Sequence, residues 1–224
     1  MSRIRHAYIV RFRTLLQQVR PRKLEQGVRW LVAKADSLSV MEAISPTEAL
    51  TRVYERLTAR KPFQNAQPAP RPDCFLCDAG LGGLARWLRG AGHDALWTPD
   101  IDDDDLLRQA RQTSATLLTT DSLLMERRVL RDHIIPAFWL PPSLGIAGQL
   151  ALVFREFGLK LAEPRCMSCG GELRRVDKAA LRSRIPPKTY LWLDEFFVCR
   201  RCDKLFWRGT HWERITRELA RLPR

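Results

Sequence analysis

The stretch CFLCDAGLGGLARWLRGAGHD, residues 74–94, decides the fold class of this chain. Its first four residues are apolar, a run that is too short for a helix and typical of a buried strand. Asp78 follows directly, and apolar residues then recur at helical spacing over residues 81–88 until Gly90 and Gly92 end the helix. A buried strand that leads into an amphipathic helix is the first part of a βαβ unit. We therefore expect a parallel sheet.

The same alternation of strand and helix patterns continues as far as residue 157. Short apolar runs predict further strands at residues 94–98, 116–120 and 134–140. Helical spacing predicts further helices from about residue 102, over residues 122–131 and over residues 143–157. The predicted fold class is α/β, with a parallel sheet flanked by helices.

Different patterns flank this α/β region. Before it, apolar residues recur at helical spacing, and Ser45-Pro46-Thr47-Glu48 has the features of a helix start. Four prolines then fall within a short, mostly polar stretch, which predicts a semi-extended linker. The predicted organisation is a helical segment at residues 1–60, a Pro-rich linker at 61–73, an α/β domain at 74–160, and a cysteine-containing tail with a basic C-terminal helix at 161–224.

The length and composition are those of a globular protein. Of the 224 residues, 45% are hydrophobic, which is enough to bury a core. No window approaches the ~18 consecutive apolar residues of a membrane span. The basic N-terminus is not followed by the apolar region of a secretory signal. We therefore expect a soluble, cytoplasmic protein with no membrane partner.

The net charge is strongly positive and unevenly distributed. Thirty-eight Lys and Arg residues against 25 Asp and Glu residues give +13. Residues 1–73 carry +8, residues 74–160 carry −2, and residues 161–224 carry +7. A basic protein attracts polyanions through counterion release, so nucleic acid is the first partner to expect. A solvated basic surface or attraction to a membrane surface is the alternative, and the acidic middle region is where a cation is expected.

All six cysteines fall into three C-x-x-C pairs. The last two pairs are separated by 29 residues, a pattern typical of a structural zinc site, whereas a redox pair needs a lowered thiol pKa. The expected zinc ligands are Cys166, Cys169, Cys199 and Cys202. The first pair, Cys74 and Cys77, lies in a predicted strand, where these two side chains point to opposite faces. We expect them to be buried apolar thiols.

Three aspartates are predicted to meet at one edge of the sheet. Asp78 and Asp121 each follow a predicted strand, and Asp103 begins the helix that leads to the strand before Asp121. Carboxylates brought together repel one another unless a cation neutralises them, and oxygen ligands suit Mg²⁺ or Mn²⁺. Such ions activate water and stabilise charge during phosphodiester hydrolysis. Ordinary helix capping is the alternative explanation for each aspartate.

Several stretches together form a recognisable set of motifs. They are Phe75-Leu76-Cys77-Asp78, LGGLARWLR at residues 81–89, Gly92-His93-Asp94, Asp103 with Leu106, Leu107 and Ala110, and Leu117-Leu118-Thr119-Thr120-Asp121. This set resembles the PIN-like ribonuclease domain named after the C-terminal part of the Mut-seven exonuclease. The resemblance implies a PIN-like fold with Asp78, Asp103 and Asp121 as the catalytic, metal-binding set. Asp104 is the candidate fourth acid, and Thr120 stands where the family usually has an arginine.

The resemblance extends into the tail. Arg165-Cys166, Gly171-Glu172-Leu173-Arg174, Val176-Asp177, Ile185-Pro186-Pro187 and Trp207-Arg208-Gly209-Thr210-His211-Trp212 are similar to the zinc ribbon that follows the nuclease domain in that family. The similar region spans residues 74 to about 218. It implies a metal-dependent ribonuclease that carries a structural Zn²⁺ ion.

Basic and aromatic side chains alternate around the second zinc-type pair. Cations for phosphates and aromatic faces for bases hold single-stranded nucleic acid, although the aromatic residues could instead cover the zinc site. The expected RNA-binding residues are Arg86, Arg89, Arg200, Arg201, Lys204, Trp207, Arg208 and His211. A non-catalytic RNA-binding zinc-ribbon protein and an acidic-site phosphatase are the competing functions. Residues 1–60 could bind a protein partner, contact RNA or cover the sheet.

Overall fold

The computed structural model describes residues 3–19, 21–60 and 71–220. Most of the predicted linker, residues 61–70, lies outside the described residues. The chain begins with three helices, α1 (Arg3–Gln18), α2 (Leu24–Met41) and α3 (Pro46–Thr58). Ser45 caps α3 as predicted, because its hydroxyl accepts the N–H of Glu48 at 3.1 Å.

A four-stranded parallel sheet forms the centre of the α/β region, as the sequence predicts. Its strands are β1 (Phe75–Cys77), β2 (Ala95–Trp97), β3 (Thr116–Thr119) and β4 (Ala137–Trp139), in the spatial order β2-β1-β3-β4. Leu76 of β1 pairs with Leu96 of β2 on one side and with Leu117 of β3 on the other. Every residue of β1 and β3 is buried, because the central strands of such a sheet are covered on both faces.

Helices connect the strands and cover the two faces. They are α4 (Gly82–Gly90), α5 (Asp103–Thr113), α6 (Arg128–Arg131) and α7 (Ile146–Glu156). One face of the sheet contributes Phe75 and Cys77 to a core shared with α4, α7 and the N-terminal helices. The other face contributes Leu76 to a smaller core that includes Leu106 of α5.

The two cysteines of the first C-x-x-C pair point to opposite faces of the sheet, as predicted. Cys77 lies in the larger core, and the half-buried Cys74 packs against the smaller one. Burial raises the pKa of both thiols, that of Cys74 to about 11. Both thiols therefore remain protonated and unreactive at neutral pH.

Two predicted elements differ from the observed ones. The helix expected over residues 122–131 is a 3₁₀ turn (Leu124–Glu126) followed by the single turn α6, because Arg127 between them has an extended backbone with φ −57° and ψ 132°. The strand expected at residues 134–140 is shorter. Ile135 donates its N–H to Val129 instead of to the sheet, and Pro136 has no N–H to donate, so pairing begins at residue 137.

The N-terminal helices pack directly on the sheet. Tyr8 and Phe12 of α1 are fully buried, and the Tyr8 ring lies edge-on to Trp139 with centroids 5.2 Å apart. The Tyr8 hydroxyl forms a hydrogen bond of 2.6 Å with Thr51 of α3, and burial raises the pKa of Tyr8 to about 12. Of the roles considered for residues 1–60, covering the sheet is therefore one that these helices perform.

The C-terminal region is a small antiparallel sheet with two helices. Its elements are β5 (Leu173–Val176), α8 (Pro187–Trp192), β6 (Phe196–Cys199), β7 (Leu205–Trp207) and α9 (Thr210–Leu219), with strand order β5-β6-β7. Leu181, Ile185, Phe196 and Val198 form its own core. Within the described parts of the chain, no helix is both long enough and apolar enough to cross a membrane.

Candidate active site and metal centre

The carboxyl ends of β1 and β3 form the switch point of the parallel sheet. The chain leaves β1 towards β2 on one side and leaves β3 towards β4 on the other. Connections that diverge in this way open a crevice beyond the strand ends, where functional groups of α/β proteins collect. Asp78 directly follows β1, and Asp121 comes two residues after β3. The topology therefore brings two aspartates that are distant in sequence to the same crevice.

A buried threonine links these two aspartates. Thr119, the last residue of β3, is fully buried. Its hydroxyl donates a hydrogen bond of 2.6 Å to Oδ2 of Asp78 and accepts the N–H of Asp121 at 2.9 Å. Oδ1 of Asp78 accepts the N–H of Ala79 at 2.6 Å, so both oxygens of this carboxylate are oriented. Sequence reasoning missed Thr119, whose signal is a threonine that ends a strand two residues before an aspartate.

The turn after β3 orients Asp121. Oδ1 of Asp121 accepts the N–H of Leu123 at 2.7 Å, which forms an Asx-turn. The carbonyl of Thr120 accepts the indole N–H of Trp139 at 3.1 Å, so the turn is anchored to the end of β4. The backbone at Thr120 therefore helps to fix the position of Asp121.

Asp103 interacts electrostatically with both of these aspartates. It is the first residue of α5, and Asp102 is the N-cap, with its Oδ1 accepting the N–H of Asp105 at 2.9 Å. Helix capping therefore accounts for Asp102. Desolvation raises the pKa of Asp103, and the negative charges of Asp121 and Asp78 raise it further. The acidic site thus carries unbalanced negative charge.

Asp104 is paired with a cation. Nη2 of Arg127 lies 2.8 Å from a carboxylate oxygen of Asp104. Arg127 also acts on the pKa of Asp103, which it lowers against the larger opposing effects. An arginine therefore stands at this edge of the sheet, although Thr120 occupies the position where the family motif has one.

The sulfur atoms of the four cysteines lie close enough together to share one metal ion, whereas the carboxylate oxygens of the three aspartates do not. Among the described residues, one group of three or more histidine, cysteine or acidic side chains is arranged so that it could hold a metal ion, and its ligand atoms all lie within 4.8 Å of one another. That group is Cys166, Cys169, Cys199 and Cys202. Asp78, Asp103 and Asp121 do not form such a group, so their charges interact although their oxygens do not converge on one point.

The four thiols lie on two tight turns, one at residues 166–171 and the other at residues 199–202. Gly170 has a φ of +78°, which favours glycine, and a Cβ at Gly171 would lie 2.8 Å from Sγ of Cys199. The N–H of Gly171 points at the sulfur of Cys169 at 3.5 Å. The N–H of Arg201 points at the sulfur of Cys199 at 3.4 Å. Such contacts favour thiolates, and four cysteine sulfurs suit a tetrahedral Zn²⁺ ion.

Arg89 is buried, so the prediction that it contacts RNA is wrong. Only 5% of its surface is exposed, and burial lowers the pKa of its guanidinium. The guanidinium donates to the carbonyls of Ala95 at 2.7 Å and Ser168 at 2.9 Å. The position of Arg89 on an amphipathic helix does not predict these hydrogen bonds. Its partners come from β2 and from the turn between Cys166 and Cys169, which is distant in sequence. Arg89 thus joins α4 to the four-cysteine group.

The other predicted RNA-binding residues are mostly exposed. Exposed side chains are those of Arg86, Arg200, Arg201, Lys204 and Arg208. Some of them have acidic partners, as Arg208 has in Glu195 at 3.1 Å. Trp207 packs against the core of the C-terminal region, which agrees with the alternative of an aromatic cover. The side chain of His211 lies outside the described residues.

A cleft separates α4 from the C-terminal region. It has a volume of about 440 Å³, and Met167, Phe206 and Trp212 contribute apolar surface to it. Arg86 and Lys204 also line it. The combination of apolar, aromatic and basic surface suits an unpaired nucleotide.

The fold and the acidic crevice define a class of protein, the α/β proteins with a PIN-like parallel sheet and an appended four-cysteine centre. Residues 73–219 match the family described as Mut7-C RNAse domain. This match covers about two thirds of the chain, and the protein therefore belongs to that family, whose description indicates a nuclease-type function on RNA. No curated protein and no solved structure matches the chain.

Proposed function

We propose that this protein is a metal-dependent ribonuclease that hydrolyses RNA phosphodiester bonds at the acidic crevice. In this proposal Asp78, Asp103 and Asp121 hold Mg²⁺ or Mn²⁺ ions, and Asp104 is an additional acid of the site. The observation that carries the proposal is the hydrogen bonding of one buried hydroxyl to both Asp78 and Asp121 at the switch point of the sheet.

The donor set suits a hard divalent cation. The acids supply only carboxylate oxygens, which are the ligands that Mg²⁺ and Mn²⁺ prefer. Desolvation raises the pKa of Asp103, and so does repulsion by Asp121 and Asp78, which a cation would relieve. When bound, such an ion supplies a Lewis acid for water and for the phosphate oxygens of RNA.

The protein residues have distinct tasks in this proposal. Thr119 holds the carboxylate of Asp78 and the backbone of Asp121 in a fixed relation, so that little reorganisation is needed when substrate binds. Asp103 brings a third negative charge from the start of α5. Arg127 neutralises the charge of Asp104, and in this proposal its guanidinium lies near the phosphate that is cleaved.

RNA reaches the crevice along α4 in this proposal. Gly90, at the end of α4, lines the cleft beside the C-terminal region, and Arg86 lies one turn nearer to Asp78. The two ends of α4 are about 12 Å apart, a distance that a few nucleotides of extended RNA would span. Exposed Arg200, Arg201, Lys204 and Arg208 add the electrostatic attraction.

The four cysteines hold a structural Zn²⁺ ion in this proposal. A closed four-thiolate site has no open position for substrate, so it stabilises the fold and does not take part in hydrolysis. Thiolates of this kind persist in a reducing compartment, which supports the cytoplasm as the place of action.

The test is RNA cleavage by the full chain with and without Mg²⁺ or Mn²⁺. We expect Asp78→Asn and Asp121→Asn to lose cleavage by a factor of at least about 10² while they retain RNA binding. Asp36→Asn is the matched control, because this carboxylate lies on α2 and pairs with Arg5. Cleavage that persists in both active-site variants, or that needs no metal, would contradict the proposal.

A non-catalytic RNA-binding protein is the second candidate function. It is favoured by the pairing of Asp104 with Arg127 and by the lack of close convergence among the described carboxylates. The same experiment separates the two candidates. This alternative expects RNA binding that metal does not change and no cleavage in the unaltered chain.

A further inference from the structure

A second cleft lies beside the acidic crevice, between α1 and the segment that follows β3. It has a volume of about 530 Å³, within the range of pockets that accept small organic molecules. One wall comes from His6 and Val10 of α1. The opposite wall includes Ser122 and Met125. The family match begins at residue 73, so α1 lies outside the matched residues.

The cleft lies next to the proposed catalytic edge of the sheet. Ser122, which lines it, is the residue after Asp121. Trp139, which also lines it, ends β4 and donates its indole N–H to the carbonyl of Thr120. The cleft therefore opens at the carboxyl edge of the sheet, where the strand ends carry Asp78 and Asp121.

The position of the cleft is held by buried contacts. Arg11 of α1 donates to the carbonyl of Trp139 at 2.7 Å, and its guanidinium lies 4.4 Å from the centre of the Phe138 ring. Tyr8, one turn earlier, packs edge-on against Trp139. Since α1 is fixed to the end of β4 in this way, its exposed side is a preformed wall.

The chemistry of the lining fits one nucleotide of RNA. His6, Arg11, Arg131 and His133 provide cationic or hydrogen-bonding groups, and Glu126 is the one acid among the lining residues. Arg131 is 66% exposed although it also contacts Asp132, so its guanidinium can reach a phosphate. Val10 and Met125 offer apolar surface to a base. This pairing of cations with apolar surface is how proteins hold single-stranded RNA.

We infer that the cleft between α1 and residues 122–133 is a binding site for a nucleotide of single-stranded RNA next to the phosphate that is cleaved. The inference rests on the proposed function, because it takes the acidic crevice as the place of reaction. It gives the N-terminal helices a second task besides covering the sheet. The cleft beside α4 and this cleft would hold different parts of the same RNA strand.

The experiment changes each wall of the cleft in the full chain and measures the affinity for a labelled oligouridylate. Val10→Trp fills the cleft from α1, and Arg131→Glu reverses a charge on the opposite wall. Both changes are introduced together with Asp121→Asn, so that RNA is not cut during the measurement. We expect each to weaken binding at least about fivefold. The dependence of log Kd on log salt should fall by about 0.7 for Arg131→Glu.

The controls are matched in residue type and lie away from the lining of the cleft. Val40→Trp places the same side chain on the exposed face of α2, where Val40 is 83% exposed. Arg128→Glu changes the other arginine of α6 that contacts Asp132, and Arg128 does not line the cleft. Both controls should bind RNA as the parent does. Circular dichroism and thermal melting of all four variants check that each remains folded.

The outcomes distinguish this inference from the proposed function. If Asp121→Asn abolishes cleavage but Val10→Trp and Arg131→Glu match their controls, the inference is overturned and the ribonuclease remains. If the unaltered protein cleaves no RNA, while Val10→Trp and Arg131→Glu still lose RNA affinity, the ribonuclease is overturned and the cleft remains as an RNA-binding site with no cleavage beside it. A change in oligomeric state without a change in RNA affinity would assign the cleft to a second copy and also overturn the inference.

Discussion

At the scale of single residues, the buried hydroxyl of Thr119 orients groups of the acidic site. Thr119 connects Asp78, which follows β1, to Asp121, which follows β3. Because the threonine is fully buried, water cannot replace the hydrogen bond that it gives to Asp78. The carboxylate of Asp78 and the backbone of Asp121 are thus both positioned by one side chain.

Removal of this hydroxyl should weaken both catalysis and folding. We expect Thr119→Val, which keeps the shape, to lower RNA cleavage at least about tenfold through the loss of preorganisation, and to cost about 1–3 kcal/mol of unfolding free energy. Single-turnover cleavage and urea denaturation measure the two effects. Thr116→Val changes a buried threonine at the opposite end of the same strand and should leave cleavage unchanged. Equal cleavage by Thr119→Val and the unaltered protein would remove Thr119 from the site.

The charge of Asp103 should destabilise the folded protein when no cation is bound. Its pKa is raised by desolvation and by Asp121 and Asp78, so at neutral pH its ionised form costs folding free energy. We expect Asp103→Asn to stabilise the metal-free protein at pH 7 by less than about 1 kcal/mol, because solvent screens exposed charges. The gain should disappear as the pH falls below the pKa of the unfolded state, where the carboxyl group is protonated in both states.

Thermal melting across pH, with and without Mg²⁺, measures this effect. Added Mg²⁺ should raise the Tm of the unaltered protein and should have a smaller effect on Asp103→Asn. Asp104→Asn is the control with the opposite expectation, since it removes an attractive contact with Arg127 and should give no stabilisation. A lower Tm for Asp103→Asn at pH 7 would show that its charge is not opposed by its neighbours.

At the scale of elements, α4 carries two arginines with different roles. Arg86 is exposed beside the cleft, whereas Arg89, one turn later, donates to the carbonyls of Ala95 and Ser168. A helix presents residues three apart at similar angles, so only the tertiary neighbours separate these roles.

Substitution of Arg89 should lower stability, whereas substitution of Arg86 should weaken RNA binding. Arg89→Ala should cost at least about 2 kcal/mol, because it leaves buried carbonyls without donors. Arg86→Ala should change stability by less than about 0.5 kcal/mol but weaken RNA binding and reduce its salt dependence. Denaturant unfolding and RNA titration at several salt concentrations provide both readings. The reverse pattern would contradict the assignment of roles.

The four-cysteine centre should hold one Zn²⁺ ion on which the C-terminal region depends. The small core of that region contains four buried apolar residues, too few to stabilise it without a cross-link. We expect Cys166→Ala to lose bound zinc and to lower the Tm, and a strong chelator to have the same effect on the unaltered protein. Cys74→Ala is the control, because this thiol packs against the sheet core. Metal analysis by mass spectrometry that finds no zinc in the native protein would contradict this prediction.

At the scale of the whole molecule, the N-terminal helices and the α/β region share one core. Tyr8 and Phe12 belong to the same buried cluster as Phe138, Trp139 and Leu140. Elements that bury their apolar surface against each other unfold together. We therefore expect α1–α3 and the parallel sheet to melt in a single transition.

Calorimetry of a core variant tests this expectation. Tyr8→Ala should cost about 3–5 kcal/mol and lower the Tm of the shared transition, because it removes a fully buried ring. Trp30→Ala removes a larger aromatic side chain that is 58% exposed and should change stability by less than about 0.5 kcal/mol. Two separate transitions, with only one shifted by Tyr8→Ala, would show that the helices fold independently.

The local pattern of the sequence was sufficient to predict the parallel sheet, the cap of α3 and the four-cysteine group. Hydrophobic period, capping residues and cysteine spacing act over a few residues, so they can be read without knowledge of distant neighbours. The pattern also placed Asp78 and Asp121 at strand ends, because parallel strands share their carboxyl edge. It failed at Arg127, whose extended backbone interrupts an otherwise helical pattern.

Only the tertiary structure decided which side chains meet across long separations in sequence. Thr119 reaches Asp78, Arg89 reaches Ser168, and Arg127 reaches Asp104 because strand order and helix packing bring them together. The cleft between α1 and Ser122 has the same origin. Hydrogen bonds and charges act over a few ångströms in space, so their partners cannot be inferred from spacing along the chain.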